Sequence, residues 1–221
     1  MPKFNVLMPI VFSIFIFQGD ISVEKNRINK AVDEESFLMP VEDVFGISGM
    51  GTVVTGRIER GTIKAGDPVE VIGLSNDIIK SKVIRIELVN KSVAEANKGD
   101  NVGLVLSGVD KSTISRGMVI CKPGSLKAYT EFECQITLKT KDEGGRSTPV
   151  FDKYRLQFSF RTAIVSGEIT LPKGIDQMKP GQNALVSVKL SAPVALESNM
   201  DFTLREGSRI VGAGRITELL K

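Results

Sequence analysis

The sequence predicts an all-β chain made of two antiparallel β-barrels in tandem. Three observations carry this. From Phe37 onward, short runs rich in Val and Ile recur between clusters of Gly, Asp and Asn, a spacing that suits antiparallel barrels or sandwiches. Over the same stretch helical periodicity nearly vanishes. Pro and Gly then interrupt the strand series near its midpoint, at 122–127 (KPGSLK), dividing it into halves at 37–127 and 128–221. With 221 residues, 42% of them hydrophobic and 25% charged, the chain is globular in composition and long enough to bury two cores.

The first segment, 1–36, differs in kind. Residues 4–17 (FNVLMPIVFSIFIF) form the most apolar stretch and follow Lys3. The stretch is shorter than the roughly 20 residues of a spanning helix, contains Pro9, and lacks a small-x-small cleavage site after it. Two readings stay open, a poorly formed signal peptide and a buried β-strand without its neighbours, and the strand is the one favoured. Residues 21–35 set Ile21, Ile28 and Val32 between charges, as a short amphipathic helix would.

The strands of the first half follow in order. Thr52–Glu59 alternates, Val69–Ile72 follows the turn KAGDP, Ile79–Val89 is a longer run, and Asn101–Leu106 and Met118–Cys121 complete the half. The second half gives Phe132–Leu138, Leu156–Ile164, Gly167–Leu171, Ala184–Leu190, Met200–Leu204 and Ile210–Leu219. Cys121 and Cys134 stand inside strand-like runs and read as small buried hydrophobes; their spacing fits no metal motif, and they argue for a reducing compartment.

Composition also narrows function. The chain has no histidine, which excludes every mechanism that needs an imidazole. A net charge of +3, spread almost evenly, is too weak to mark a nucleic-acid binder, so any phosphate contact must come from placed residues. Two short motifs come close to nucleotide chemistry. Gly51–Arg57 (GTVVTGR) has the two glycines of a phosphate-binding loop, but Arg57 and Ile58 stand where Lys and Ser/Thr are needed. Asp43–Gly46 spells DxxG, a pattern short enough to arise by chance. Both are read as strands joined by a turn at Ser48–Gly51.

Longer motifs are more specific. Phe37–Gly61 (FLMPVEDVFGISGMGTVVTGRIERG) closely resembles the opening of the second domain of the elongation factor Tu family. The likeness continues through KGDNVG at 98–103, RGM at 116–118 and KPGS at 122–125. KDEGGR at 141–146, Thr148-Pro149, Tyr154-Arg155, Gln157-Phe158, FRT at 160–162, REG at 205–207 and VGAG at 211–214 resemble its third domain. In this light residues 1–36 resemble a remnant of the C-terminal end of the family's α/β GTPase domain. The phosphate-binding loop, the switches and the guanine-recognition motif do not occur in these 221 residues.

The resemblance implies a translation factor, truncated or divergent, whose family delivers aminoacyl-tRNA to the ribosome under GTP control. The aminoacyl and 3′-terminal adenosine pocket would involve Glu42, Asp43, Phe45, Ile47, Thr55, Glu87 and Asn101. Read without the family, Glu42 and Asp43 are solvated strand-end acids, Phe45 is core and Asn101 a turn residue. T-stem or interdomain roles would fall to Gly144, Gly145, Arg146, Gln157, Arg161, Arg205 and Glu206. No catalytic residue and no metal ligand is implied for this chain, and no cofactor. GTP and Mg²⁺ belong to the full-length family, as do the ribosome and a nucleotide-exchange factor as partners. The expected partner here is aminoacyl-tRNA, with no membrane, and with self-association open through the surface a GTPase domain would cover. The expected compartment is the cytoplasm, or alternatively a mitochondrial or plastid matrix. Several positions depart from the family: Met50 replaces a usual arginine, Val89 and Asn90 a usual Phe-Arg pair, Ser147 a histidine, Val150 a phenylalanine and Leu156 a proline. The alternative is a β-barrel protein-interaction module of the same fold that works outside translation.

Overall fold

The computed structural model describes residues 36–47, 51–89 and 91–221. The strand expected at 4–17, the helix expected at 21–35, the turn residues 48–50 and the departures Met50 and Asn90 lie outside the described residues. The described chain is β-structure, with one turn of 3-10 helix at Lys111–Thr113.

The first half supplies β1 (Leu38–Pro40), β2 (Asp43–Ile47), β3 (Gly51–Arg57), β4 (Thr62–Lys64), β5 (Pro68–Ile72), β6 (Ile79–Leu88), β7 (Lys91–Val93), β8 (Glu95–Asn97), β9 (Asn101–Leu106) and β10 (Val119–Cys121). They lie antiparallel in the order β1-β10-β5-β6-β9-β3-β2, with β7 added to β6, while β4 and β8 pair separately. The sheet curls until its ends meet. Leu38 N donates to Arg60 O at 3.1 Å and Glu59 N to Leu38 O at 2.9 Å, which joins β1 to the residues just past β3. Gly56 permits this approach, because a Cβ there would stand 2.2 Å from Pro40 O. The first barrel is therefore a curled sheet stitched shut over a few residues, without a full closing ladder. Apart from Phe37 its core is aliphatic, including Met39, Val54, Val71, Ile86, Leu104 and Ile120.

Within β6 a bulge changes the phase of the strand. Val83 pairs with Leu106 and Arg85 with Val105, so Ile84 has no partner of its own and is 57% exposed. Val83 and Ile86 consequently both enter the core, and Arg85 and Glu87 are carried to the outer face.

The second half supplies β11 (Lys127–Leu138), β12 (Val150–Phe151), β13 (Tyr154–Phe160), β14 (Ala163–Thr170), β15 (Gln177–Met178), β16 (Asn183–Leu196), β17 (Asp201–Glu206) and β18 (Arg209–Leu219). Six of these close into a barrel in the order β11-β16-β14-β13-β17-β18, with β18 returning to β11; β12 and β15 pair apart. Phe132, Phe158, Phe160 and Phe202 fill it, with ring centroids 5.2 to 6.4 Å apart and Phe132 edge-on to the other three.

One strand expectation fails. The run Leu156–Ile164 is not one strand but the end of β13, a turn at Arg161-Thr162, and the start of β14. The turn carries none of the usual Gly, Asn or Pro, and Arg161 adopts φ 47°, in the left-handed region.

That arginine is held from both halves, by Glu59 of the first and by Ala195 and Glu197 of its own. Its Nε donates to Glu59 Oε2 at 2.7 Å, its Nη1 to Ala195 O at 3.0 Å, and its Nη2 to Glu197. Arg60 Nη1 reaches the second oxygen of Glu197 at 2.6 Å. Two guanidinium groups and two carboxylates thus alternate across the join between the sheets. Beside them Leu38, Ile72, Val119, Cys121, Leu126 and Ala195 form an apolar cluster drawn from both halves, and Leu74 N donates to Pro193 O at 2.6 Å.

Candidate functional site

The ladder registers of β2, β3, β9 and β6 place the predicted residues of the first half. Residues directly opposite in an antiparallel pair present their side chains on the same face. Asp43 opposes Thr55, Thr55 opposes Gly103, and Gly103 opposes Glu87. This is one row across four strands, about 14 Å long at ~4.8 Å per strand. The next row on the same face runs Phe45, Val53, Val105, Arg85. Asn101 opposite Arg57 begins the row on the other side, and Ile47 opposite Gly51 ends β2.

Six of the seven residues predicted for the aminoacyl pocket therefore share one outer face. Glu42 is the seventh. It stands just before β2, exposed, with its N donating to Thr55 O at 2.9 Å and its carbonyl accepting from Arg116 Nη1 at 3.2 Å. Phe45 is not core, as the reading without the family had it, but 50% exposed, and Ile47 is 40% exposed. Asn101 is not simply a turn residue either, since it opens β9.

Gly103 gives the face its relief. Its missing side chain leaves a dip walled by Val53, Thr55 and Glu87, whose nearest carbons would be 3.4 to 3.9 Å from a Cβ placed there. The face carries carboxylates at both ends of one row, a hydroxyl at Thr55, an amide at Asn101, and two apolar side chains open to water. Such a surface can accept hydrogen bonds from a cationic amine and hold a flat ring or an aliphatic group. Val89, just past β6, is 85% exposed at φ 43° and builds no wall.

One residue of this face carries no signal in the motif reading. Arg85 stands beside Glu87 on the outer side of β6, and its Nη2 donates to Glu87 Oε1 at 2.7 Å. The alternation Ile84-Arg85-Ile86-Glu87-Leu88 would have revealed it, since the two charged residues share a parity opposite to the core positions.

The second predicted set divides into buried and exposed members. Arg146 lies inside, with only 6% of its side chain exposed. Its guanidinium donates to Thr148 O at 3.2 Å, Thr148 Oγ1 at 3.1 Å and the Tyr154 hydroxyl at 3.0 Å, lies 4.6 Å from the centre of the Tyr154 ring, and pairs with Glu206. The Tyr154 hydroxyl in turn donates to Glu206 Oε1 at 3.1 Å. These contacts pin the 139–149 loop to the end of β17. Gly144 and Gly145 shape that loop: Gly144 has φ 77°, and a Cβ on Gly145 would meet Lys139 O at 2.3 Å. Gln157 and Arg205 oppose each other on the outer face of β13 and β17, and Arg205 Nη2 donates to Ser208 O at 3.0 Å. Arg161 lies at the join of the two sheets, as described above.

An open cavity of about 620 Å³ lies on that barrel's outer face among Gln135, Thr137, Ser159, Thr203 and Arg215, and of the predicted residues only Arg161 reaches it. At its edge Arg215 grips Asp201 through two hydrogen bonds of 2.6 and 2.9 Å, which hold the Asp201 carboxyl below its ordinary 3.8. Among the described residues no group of three or more Cys, Asp or Glu is placed to hold a metal ion, and no helix is long and apolar enough to cross a membrane.

A family model described as Elongation factor Tu domain 2 matches residues 51–121, and one described as Elongation factor Tu C-terminal domain matches residues 125–220. The first covers most of the curled sheet and the second nearly all of the closed barrel.

Proposed function

The chain belongs to the elongation factor Tu family, and from that premise we propose that it binds the aminoacyl 3′ end of a charged transfer RNA on the outer face of β2, β3, β9 and β6. The observation that carries this reading is the gathering of Asp43, Phe45, Ile47, Thr55, Glu87 and Asn101 onto one face by the strand registers. The carboxylates of Asp43 and Glu87, with Glu42 beside them, suit the free α-amino group. Phe45 and Ile47 suit the terminal base or the aminoacyl side chain. Gln157 and Arg205 offer the second barrel polar contacts to a helical stem. Recognition here needs no bond to be made or broken. GTP and Mg²⁺ chemistry, nucleotide exchange and delivery to the ribosome belong to the full-length family. A role with charged tRNA would place the chain where translation occurs, in the cytoplasm or an organelle matrix.

Binding to phosphates releases counterions, so affinity should fall steeply with salt. Filter binding with one tRNA, aminoacylated and deacylated, tests the reading. Tighter retention of the charged form at low salt, weakening as salt rises, is expected. Equal affinity for the two forms would overturn the aminoacyl-end role and favour a protein-interaction module instead.

A further inference from the structure

We propose that Arg85 sets the specificity of this face, as a built-in cation that competes with an incoming α-ammonium for Glu87. The inference rests on the aminoacyl-end reading and deepens it. Its geometric basis is the bulge at Ile84. Were the strand regular through Ile84, Arg85 would oppose Leu104, share Val83's side and point into the core. With the bulge, Arg85 lies in the row of Phe45, Val53 and Val105, next to the dip at Gly103, and its guanidinium bonds the Glu87 carboxylate at 2.7 Å.

Glu87 is the carboxylate that walls the dip, whereas Asp43 stands at the far end of the row. A ligand ammonium reaching Glu87 meets a charge already neutralised. It must displace Arg85 or sit beside a like charge. The pair is open to solvent, with 37% of the Arg85 and 38% of the Glu87 side chain exposed, so it is weak, screened by salt and displaceable. Arg85 therefore lowers the preference for a free α-amino group without blocking the site. The face is thereby tuned to tolerate aminoacyl ends whose nitrogen carries no charge.

The test compares three probes, one tRNA deacylated, aminoacylated, and aminoacylated then N-acetylated, on the full chain and its Arg85→Gln and Arg85→Lys variants. Wild type should hold the free-amino and N-acetylated forms within about twofold of each other. Arg85→Gln should tighten the free-amino form about three- to fivefold, the size expected for an exposed ion pair, and leave the N-acetylated form unchanged. Arg85→Lys, which keeps the charge, should behave as wild type. If Arg85→Gln shifts both acylated forms equally, or neither, while charged RNA is still preferred over deacylated, the role of Arg85 is overturned and the aminoacyl-end reading stands. If no protein distinguishes charged from deacylated RNA, both fall together.

Discussion

Burial is the main force that keeps both thiols protonated, helped by the carboxylates of Glu70 near Cys121 and Glu133 near Cys134. Cys121, packed with Leu38, Ile72 and Ala195 between the two halves, is pushed up from the ordinary 9.0 to about 11, and Cys134, inside the second barrel, to about 12. An acid whose folded pKa is raised stabilises the fold fully below its unfolded value, and that contribution is lost as pH rises through the folded one. The thiol contribution should therefore be complete below pH 9 and fade toward pH 11 to 12. At pH 8 the native protein should resist a thiol reagent that modifies both cysteines readily in guanidinium; fast native labelling of either would contradict this burial. The cysteines were legible because their neighbours in sequence are strand-forming and apolar. Arg146 was not. Arginine reads as a surface residue until its partners are known, and Tyr154 and Glu206 come to it only through the fold.

Among the elements, the bulged strand shows how much pattern a sequence can hold. Ile84-Arg85-Ile86-Glu87-Leu88 alternates cleanly, and the apolar doublet Val83-Ile84 marks where the phase slips. Deleting Ile84 would leave Val83-Arg85-Ile86-Glu87-Leu88, in which the pairs Val83–Leu106, Arg85–Val105 and Ile86–Leu104 become one regular ladder with Val83 and Ile86 still inward. Urea unfolding should therefore show a folded first sheet in the deletion, and Ile84→Thr at the exposed bulge should stay within about 0.5 kcal/mol of wild type. A deletion that does not fold would show that the sheet needs the bulge itself and not only the register it sets. The β13–β14 turn had no such signature. A non-glycine residue in the left-handed region costs on the order of 1–3 kcal/mol, and at Arg161 that cost is offset by Glu59, 102 residues earlier in the chain. A local pattern cannot contain a constraint of that range. Closure of the first sheet was hidden for the same reason, because it depends on Gly56 meeting Pro40.

For the molecule as a whole, the two halves were visible in the strand series and in the Pro-Gly interruption, but their join was not. It depends on Glu197, which Arg60 reaches across 137 residues. Removing one partner from a largely buried ion network leaves the others uncompensated, at a cost of about 3–5 kcal/mol. Arg161→Ala should therefore uncouple the halves, and Arg161→Lys should rescue little, because an ammonium cannot span Glu59, Ala195 O and Glu197 together. The chain supplies its own probe, since its two tyrosines, Tyr129 and Tyr154, both lie in the second barrel and there is no tryptophan. In wild type, tyrosine fluorescence and far-ultraviolet dichroism should unfold in one coincident transition; in Arg161→Ala they should separate. Coincident curves in the variant would mean the ion network does not couple the halves.

The pairing of β18 with β11 also sets a timetable. β11 ends at Leu138, yet the strand that covers its free edge is complete only at Leu219. At ribosomal rates of about 5–20 residues per second, that edge waits roughly 4–16 seconds for its partner. During that interval the nascent second barrel is an open sheet, with the phenylalanines of its future core reachable from one side. Protection from aggregation is then a matter of how soon the last strand is made, so this half of the molecule depends on the speed of its own synthesis.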